Sequence, residues 1–189
     1  LLDKTNYGNF EILVVDNNSL EARTFEYFEM MEKNDKVSIL RFPGEFNFSA
    51  INNFAVKHSN SDVLVLLNND IEIIHPNWLK EVVSQAIRPE IGVVGCRLYY
   101  PDDHVQHDGI IIGIGGVAGY AHPRLERSKI GEFGRSKLVQ NYSAVTAAAL
   151  AVKRSVYEKV GGLDEKNLAV AFNDVDFCIR IMAQVLLPP

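Results

Sequence analysis

The chain has little cysteine, no long apolar run and no block of like charge, and each absence removes a class of protein. Its two cysteines, Cys96 and Cys178, stand far apart without partners at metal-ligand spacing, which excludes a disulfide framework and a zinc cluster. Buried, reduced thiols of a cytoplasmic protein are the expectation. The longest apolar stretches, residues 63–67 and 144–152, fall well short of the roughly 18 residues that a membrane span requires. No basic amphipathic helix is evident either, which leaves peripheral membrane contact as the open form. With 19 basic against 24 acidic residues the net charge is −5, too acidic for a dedicated nucleic-acid binder. Neither a repeat nor a low-complexity segment occurs.

What is present is an ordinary globular composition, 47% hydrophobic and 23% charged, in a length that predicts one domain over residues 1–189. The chain lacks an initiator Met and a signal peptide, opens on Leu1-Leu2 and stops on Leu186-Leu187-Pro188-Pro189 after a helical pattern. It therefore reads as a piece of a longer protein.

Residues 11–15 form an apolar run closed by Asp16-Asn17-Asn18-Ser19, a buried strand ending in a polar turn. Residues 20–33 carry Phe25, Phe28 and Met31 at helical spacing. Residues 37–42 predict a second strand, Pro43-Gly44 a break, and Ser49 the cap of a helix over 50–58. Residues 63–67 are a third strand, apolar on both faces, and Pro76 starts a helix running to Ile87. This β-α-β-α-β alternation predicts a mostly parallel sheet covered by helices on both sides. The second half is less regular. Residues 93–94 and 98–100 read as short strands, 101–135 as Gly-rich loops, 144–152 as an apolar strand, 155–160 as a short helix ended by Gly161-Gly162, and 174–183 as a last helix.

Polar groups thus collect at carboxyl ends of strands, where open α/β sheets bind ligands, so Asp16-Asn17 and Asn68-Asn69-Asp70 should face one crevice. Carboxylates there suit a divalent cation whose open positions take a diphosphate; the plain alternative is an Asx turn satisfying its own backbone. Asn173-Asp174-Val175-Asp176 opens the last helix, with Arg180 four residues beyond Asp176. Helix capping explains this pattern; a general base ionised by the helix N-terminus also does. Gly113-Ile114-Gly115-Gly116-Val117-Ala118 has the glycines of a dinucleotide fingerprint, but Gly119-Tyr120-Ala121-His122-Pro123 does not open the helix that fingerprint needs. A turn-rich loop over the site is expected there. His104, His107 and His122 lie in the same stretch without the spacing of a helical metal pair.

Taken together, the blocks resemble a family 2 glycosyltransferase. Residues 10–19 are similar to its nucleotide-binding strand and turn, and 63–70 to the strand ending in its Asp-x-Asp motif. Asn53 and Asp62 stand where members carry Asn and an acidic residue. Gly161-Gly162-Leu163-Asp164-Glu165 and Asn173-Asp174-Val175-Asp176-Phe177-Cys178-Ile179-Arg180 resemble the family's acceptor-side pair. The resemblance implies a GT-A fold of Rossmann type, a nucleotide-diphosphate sugar donor, Mn²⁺ or Mg²⁺, and hexosyl or deoxyhexosyl transfer with inversion. The branch it looks closest to makes bacterial O-antigen or surface polysaccharide with rhamnosyl-type transferases, on a glycan or lipid-linked glycan acceptor, in the cytoplasm or at the inner membrane face. Residues 1–95 would be the nucleotide-sugar half and 96–189 the acceptor half. Asp16, Asn17, Asn53 and Asn68 would contact the donor, Asp70 the metal, and Asp174 would be the base. Asp164, Glu165 and Asp176 would shape the acceptor side.

Three departures from the pattern carry expectations. Asn68 replaces the first acid of Asp-x-Asp, leaving Asp70 with Glu72 as the remaining carboxylates and a weaker metal site. Asn173 replaces a Glu beside the base, removing a like charge. The family's first strand and its later metal-site histidine have no counterpart here. Two other readings remain at this point: a nucleotidyltransferase, against which stands the lack of a Gly-rich basic loop, and a non-catalytic module binding polysaccharide or a partner enzyme.

Overall fold

A computed structural model describes residues 1–186; residues 187–189, part of the C-terminal end discussed above, lie outside them. The strands and α-helices run β1 (Ile12–Asp16), α1 (Ala22–Met31), β2 (Val37–Arg41), α2 (Phe48–Lys57), β3 (Val63–Leu67), α3 (Trp78–Ala86), β4 (Val93–Gly95), β5 (Leu98–Tyr99), β6 (Val105–His107), β7 (Ile110–Ile112), β8 (Ala118–Tyr120), β9 (Ala149–Lys153), α4 (Arg154–Lys159) and α5 (Asn173–Ile181). The first half follows the predicted alternation closely, because each strand is an apolar run bounded by turn residues. Two local details differ. Asn47, not Ser49, caps α2 by accepting the Ala50 N–H at 2.9 Å. The Ser49 hydroxyl instead donates to the Leu168 carbonyl at 2.6 Å, tying the start of α2 to the segment leading into α5.

β1 and β2 pair in parallel, as α1 between them requires. β9 enters antiparallel between β3 and β4, so these two run parallel to each other but do not touch through hydrogen bonds. β9 is the centre of the core: Leu150, Ala151 and Val152 are wholly buried. Leu64 and Leu66 of β3 join Leu150 and Val152 against α4 and α5, while Val63 and Val65 face Val82 and Ala86 of α3. Both faces of β3 are therefore covered, which is why its sequence is apolar without alternation. Burying a Leu such as Leu150 contributes roughly 1.5–3 kcal/mol.

The Gly-rich stretch contains β6, β7 and β8, three-residue pieces too short to leave a periodic signature. β7 and β8 pair as a hairpin whose turn, Gly113 to Gly116, has positive φ at Gly113, Gly115 and Gly116. The dinucleotide reading of those glycines is thereby excluded, since no α-helix follows them. The apolar run 144–152 is also broken: Ala144 bridges to Ile110, and the strand proper begins at Ala149. Cys178 is buried and Cys96 half-buried, both free, and burial raises their thiols to about 12 and about 11. No helix of the described residues is long and apolar enough to cross a membrane.

Candidate active site

Asn68 and Asp174 are brought to one backbone segment where β3 ends. Leu67 is opposite Ala149, so the segment before β9, Thr146 to Ala148, lies across from Asn68. The Asn68 N–H donates to the Ala148 carbonyl at 2.9 Å. One peptide earlier, the Ala147 N–H donates to Asp174 Oδ2 at 3.2 Å, and the Val175 N–H donates to Asp174 Oδ1 at 2.8 Å. One three-residue strap therefore holds both the end of β3 and the carboxylate at the start of α5. Each Asp174 oxygen has one backbone donor and keeps a lone pair for another group. The strap is braced from behind by His107, whose Nε2 accepts the Thr146 N–H at 3.4 Å. Burial pushes His107 down to about 4, so near neutral pH it is uncharged and able to accept.

Asn68 is half-buried, and Asn69 and Asp70 are exposed in a turn beyond the strand. Glu72 is drawn away by an ion pair with Lys4 at 2.6 Å, which holds its carboxyl below the usual range. Among the described residues no three His, Cys, Asp or Glu side chains stand together as a metal cluster. The donor set at this edge is one carboxylate, Asp70, beside one amide, Asn68. Such a set fits a cation shared with oxygens of a bound ligand, not a site built from protein alone.

Asp16 is buried at the end of β1 and engaged twice. Arg41 forms an ion pair with its Oδ2, and the Ser19 N–H donates to Oδ1 at 3.2 Å. Burial raises its carboxyl, but the bonds from Ser19 and Arg41 outweigh this and leave it lowered. The Asn17 amide donates to the carbonyls of Phe42 at 3.1 Å and Gly44 at 2.7 Å. These two residues thus fasten the loop after β2, and among the described residues the Asn17 side-chain carbonyl has no hydrogen-bond donor.

The remaining residues read from sequence are bonded to neighbouring groups of the chain. Asn53, expected on the donor, is buried with its amide saturated: it donates to the Leu163 carbonyl and Glu165 Oε2, both at 2.9 Å, and accepts from the Tyr157 hydroxyl at 2.5 Å and the Leu163 N–H at 3.0 Å. No bonding position is left for a ligand. Asp164 accepts the Lys166 and Asn167 N–H groups and the Asn167 amide, bonds that lower its carboxyl. Asp176 pairs with Arg180 at 2.7 Å. Asp164 and Glu165 line a cavity of about 820 Å³ together with Lys57, Arg154 and Arg180, and Asn68, Asp70 and Asp174 are absent from its lining. That cavity reaches the opposite end of β3, where the Arg154 N–H donates to the Asp62 carbonyl at 2.8 Å. The antiparallel course of β9 delivers α4 there.

Two neighbours of Asp174 carried no sequence signal. Tyr120, half-exposed at the end of β8, has its phenol raised by burial and then by the Asp174 charge, and its ring meets His107 edge-on at 5.7 Å. Phe172, immediately before α5, holds φ at 59° with its ring half-exposed, a backbone conformation costly for a residue with a Cβ.

Comparison with known proteins agrees with this architecture. A solved structure described as mannosyltransferase PcManGT from Pyrobaculum calidifontis, in complex with GDP-Man and Mn2+, superposes with a TM-score of 0.67 over 100% of this chain and 48% of its own, at 16% identity. The fold is thus the α/β GT-A kind of glycosyltransferases. Residues 1–161 match the family described as Glycosyl transferase family 2, and the chain belongs to that family. Among relatives, an uncharacterized protein, y4gI, of Sinorhizobium fredii (strain NBRC 101917 / NGR234) is 50% identical over 97% of the chain. The O-antigen biosynthesis protein RfbC of Myxococcus xanthus is 41% identical over 98%. The chain spans 20% and 14% of the lengths of these two relatives. Family membership sets aside the nucleotidyltransferase reading.

Proposed function

We propose that this chain is the catalytic region of an inverting glycosyltransferase that moves a sugar from a nucleotide-diphosphate donor to a growing bacterial surface polysaccharide, free or lipid-linked, on the cytoplasmic side. The observation that carries the reading is the strap 146–148, which joins the Asp-x-Asp-like turn and Asp174 at one sheet edge. The GDP-Man and Mn2+ of the mannosyltransferase and the O-antigen role of RfbC support the substrate class.

In this mechanism Asp174 accepts the proton of the acceptor hydroxyl as that oxygen bonds to the anomeric carbon, and the bond to the diphosphate breaks on the opposite face. The two backbone donors on Asp174 fix its direction, so little reorganisation accompanies the transfer. Asp70 and the Asn68 carbonyl are the groups that would hold a divalent cation, which when bound offsets charge on the departing diphosphate. Asp16 and Asn17 act on the base pocket by holding the loop after β2, with the Asn17 carbonyl free to accept from the base. Residues 1–95 serve the donor and 96–189 the acceptor, as one catalytic domain.

Thermal unfolding of the full natural protein against UDP, GDP, dTDP and CDP, with and without Mn²⁺, tests this directly. One nucleotide at a hundred times its Kd should stabilise by about 2.7 kcal/mol, and the gain should need both Mn²⁺ and Asp70. If no nucleotide shifts the wild type, the non-catalytic module replaces this reading.

A further inference from the structure

Residues 128–140 form a surface loop closed by its own backbone. The Ser136 N–H donates to the Ile130 carbonyl at 3.1 Å, Gly134 N–H to Gly131 at 3.4 Å, and Leu138 N–H to Arg135 at 3.2 Å. The loop's base is gripped from the interior: Ser136 is buried, and the Arg97 guanidinium donates to its carbonyl and, at 2.6 Å, to its hydroxyl. Lys137 Nζ adds a bond to the Arg127 carbonyl at 2.7 Å. An anchored base makes the outer half a fixed feature of the surface.

That outer half is apolar. Phe133 is 97% exposed, Val139 88%, Leu138 63% and Ile130 58%. Phe133 also sits at φ 53°, between Gly131 and Gly134, which share positive φ. A large ring held in a costly backbone conformation and turned fully to water has no role in packing this chain. Its surroundings identify what it meets. Residues 128–140 hold three cations, Lys129, Arg135 and Lys137, against one carboxylate, Glu132, in a chain whose net charge is −5. Among the described residues none of the three cations is in an ion pair with a carboxylate. Exposed apolar side chains interspersed along one loop with exposed cations suit an anionic membrane, which offers hydrocarbon beneath a layer of phosphate.

We propose that residues 128–140 are a membrane-docking loop, with Phe133, Leu138 and Val139 entering the acyl boundary and Lys129, Arg135 and Lys137 meeting anionic headgroups. The loop adjoins the segment after β8: Tyr120 ends β8, and two residues on, His122 stands by Gly131 and lies 3.0 Å from Asp108. The loop goes beyond the transfer reaction proposed above, and its test requires neither donor nor turnover, so each reading can fail alone.

The test is flotation of the full natural protein with vesicles of phosphatidylcholine and phosphatidylglycerol at 70:30, and with phosphatidylcholine alone. Binding to the anionic vesicles is expected, falling with salt. The double variant K129S/R135S should weaken it on the order of 30-fold and F133S about tenfold, with thermal stability and nucleotide-induced shifts unchanged. Absence of vesicle binding in the wild type, or equal binding in the wild type and both variants, would overturn the proposal. A change of oligomeric mass in F133S with vesicle binding intact would overturn it too, assigning the tip to a contact between copies.

Discussion

The two ends of β3 carry similar acidic and amide residues with opposite fates. At the carboxyl end, Asn68, Asp70 and Asp174 are held by backbone groups or lie open, and their side chains keep capacity for a ligand. Toward the amino end, Asn53 is saturated by Leu163, Tyr157 and Glu165, Asp164 bonds to Lys166 and Asn167, and Asp176 pairs with Arg180, while Asn53, Asp164 and Glu165 line a cavity of about 820 Å³. For Asn53, hydrogen-bond capacity thus argues against a ligand more sharply than its place on a cavity wall argues for one. A buried amide with all its positions used cannot take a ligand without leaving partners unpaired.

The sharpest way to break this contrast is Asp174→Asn. Loss of the proposed base should lower transfer by about 10²–10⁴-fold with a much smaller cost in stability, about 1 kcal/mol, since Asn still accepts the Ala147 N–H but gives up the bond from the Val175 N–H. Transfer at the wild-type rate would remove Asp174 from the chemistry.

Asn53→Ala attacks the other end. It leaves the Tyr157 hydroxyl and the Leu163 N–H buried without a partner, and urea titration should show a loss of about 2–4 kcal/mol. Nucleotide affinity of the folded protein should be unchanged; a fall in affinity at intact stability would return Asn53 to the donor site.

His107 tests the brace behind the strap. Its folded value of about 4 lies below the usual 6.5, so the unfolded chain binds the extra proton first. The stability it contributes is complete above the unfolded value and is lost as pH falls through the folded value near 4, on the order of 3 kcal/mol in all. Melting temperatures from pH 7 to pH 4 should fall less steeply in His107→Gln. An identical slope would show that another group governs the acid limb.

The smallest effect belongs to Asp176→Asn, which removes one side of the pair with Arg180. About 0.5 kcal/mol of stability and no change in transfer rate are expected, and a drop in rate at equal stability would move Asp176 to the working edge.

Much of the first half was legible because its strands are apolar runs punctuated by Asx and Pro-Gly, and burial on both faces leaves that mark in composition. The second half was not, since β6, β7 and β8 are three residues each and the start of β9 is hidden inside a uniformly apolar run. Within the site, Asn68, Asp70 and Asp174 were legible as residue types at strand and helix ends. Asn53 was legible as a pattern but not as a role, because spacing does not reveal where a side chain's hydrogen bonds go.

The sequence by itself determined the α/β class, the polar turns at strand ends and the carboxylate opening the last helix, since these follow from local periodicity and capping chemistry. Only the tertiary structure decided that β9 runs back between β3 and β4. That reversal brings the backbone of residues 146–148 against both Asn68 and Asp174, and on the strap's side the contacts are made by N–H and C=O groups that every residue but proline carries, so spacing along the chain does not reveal them.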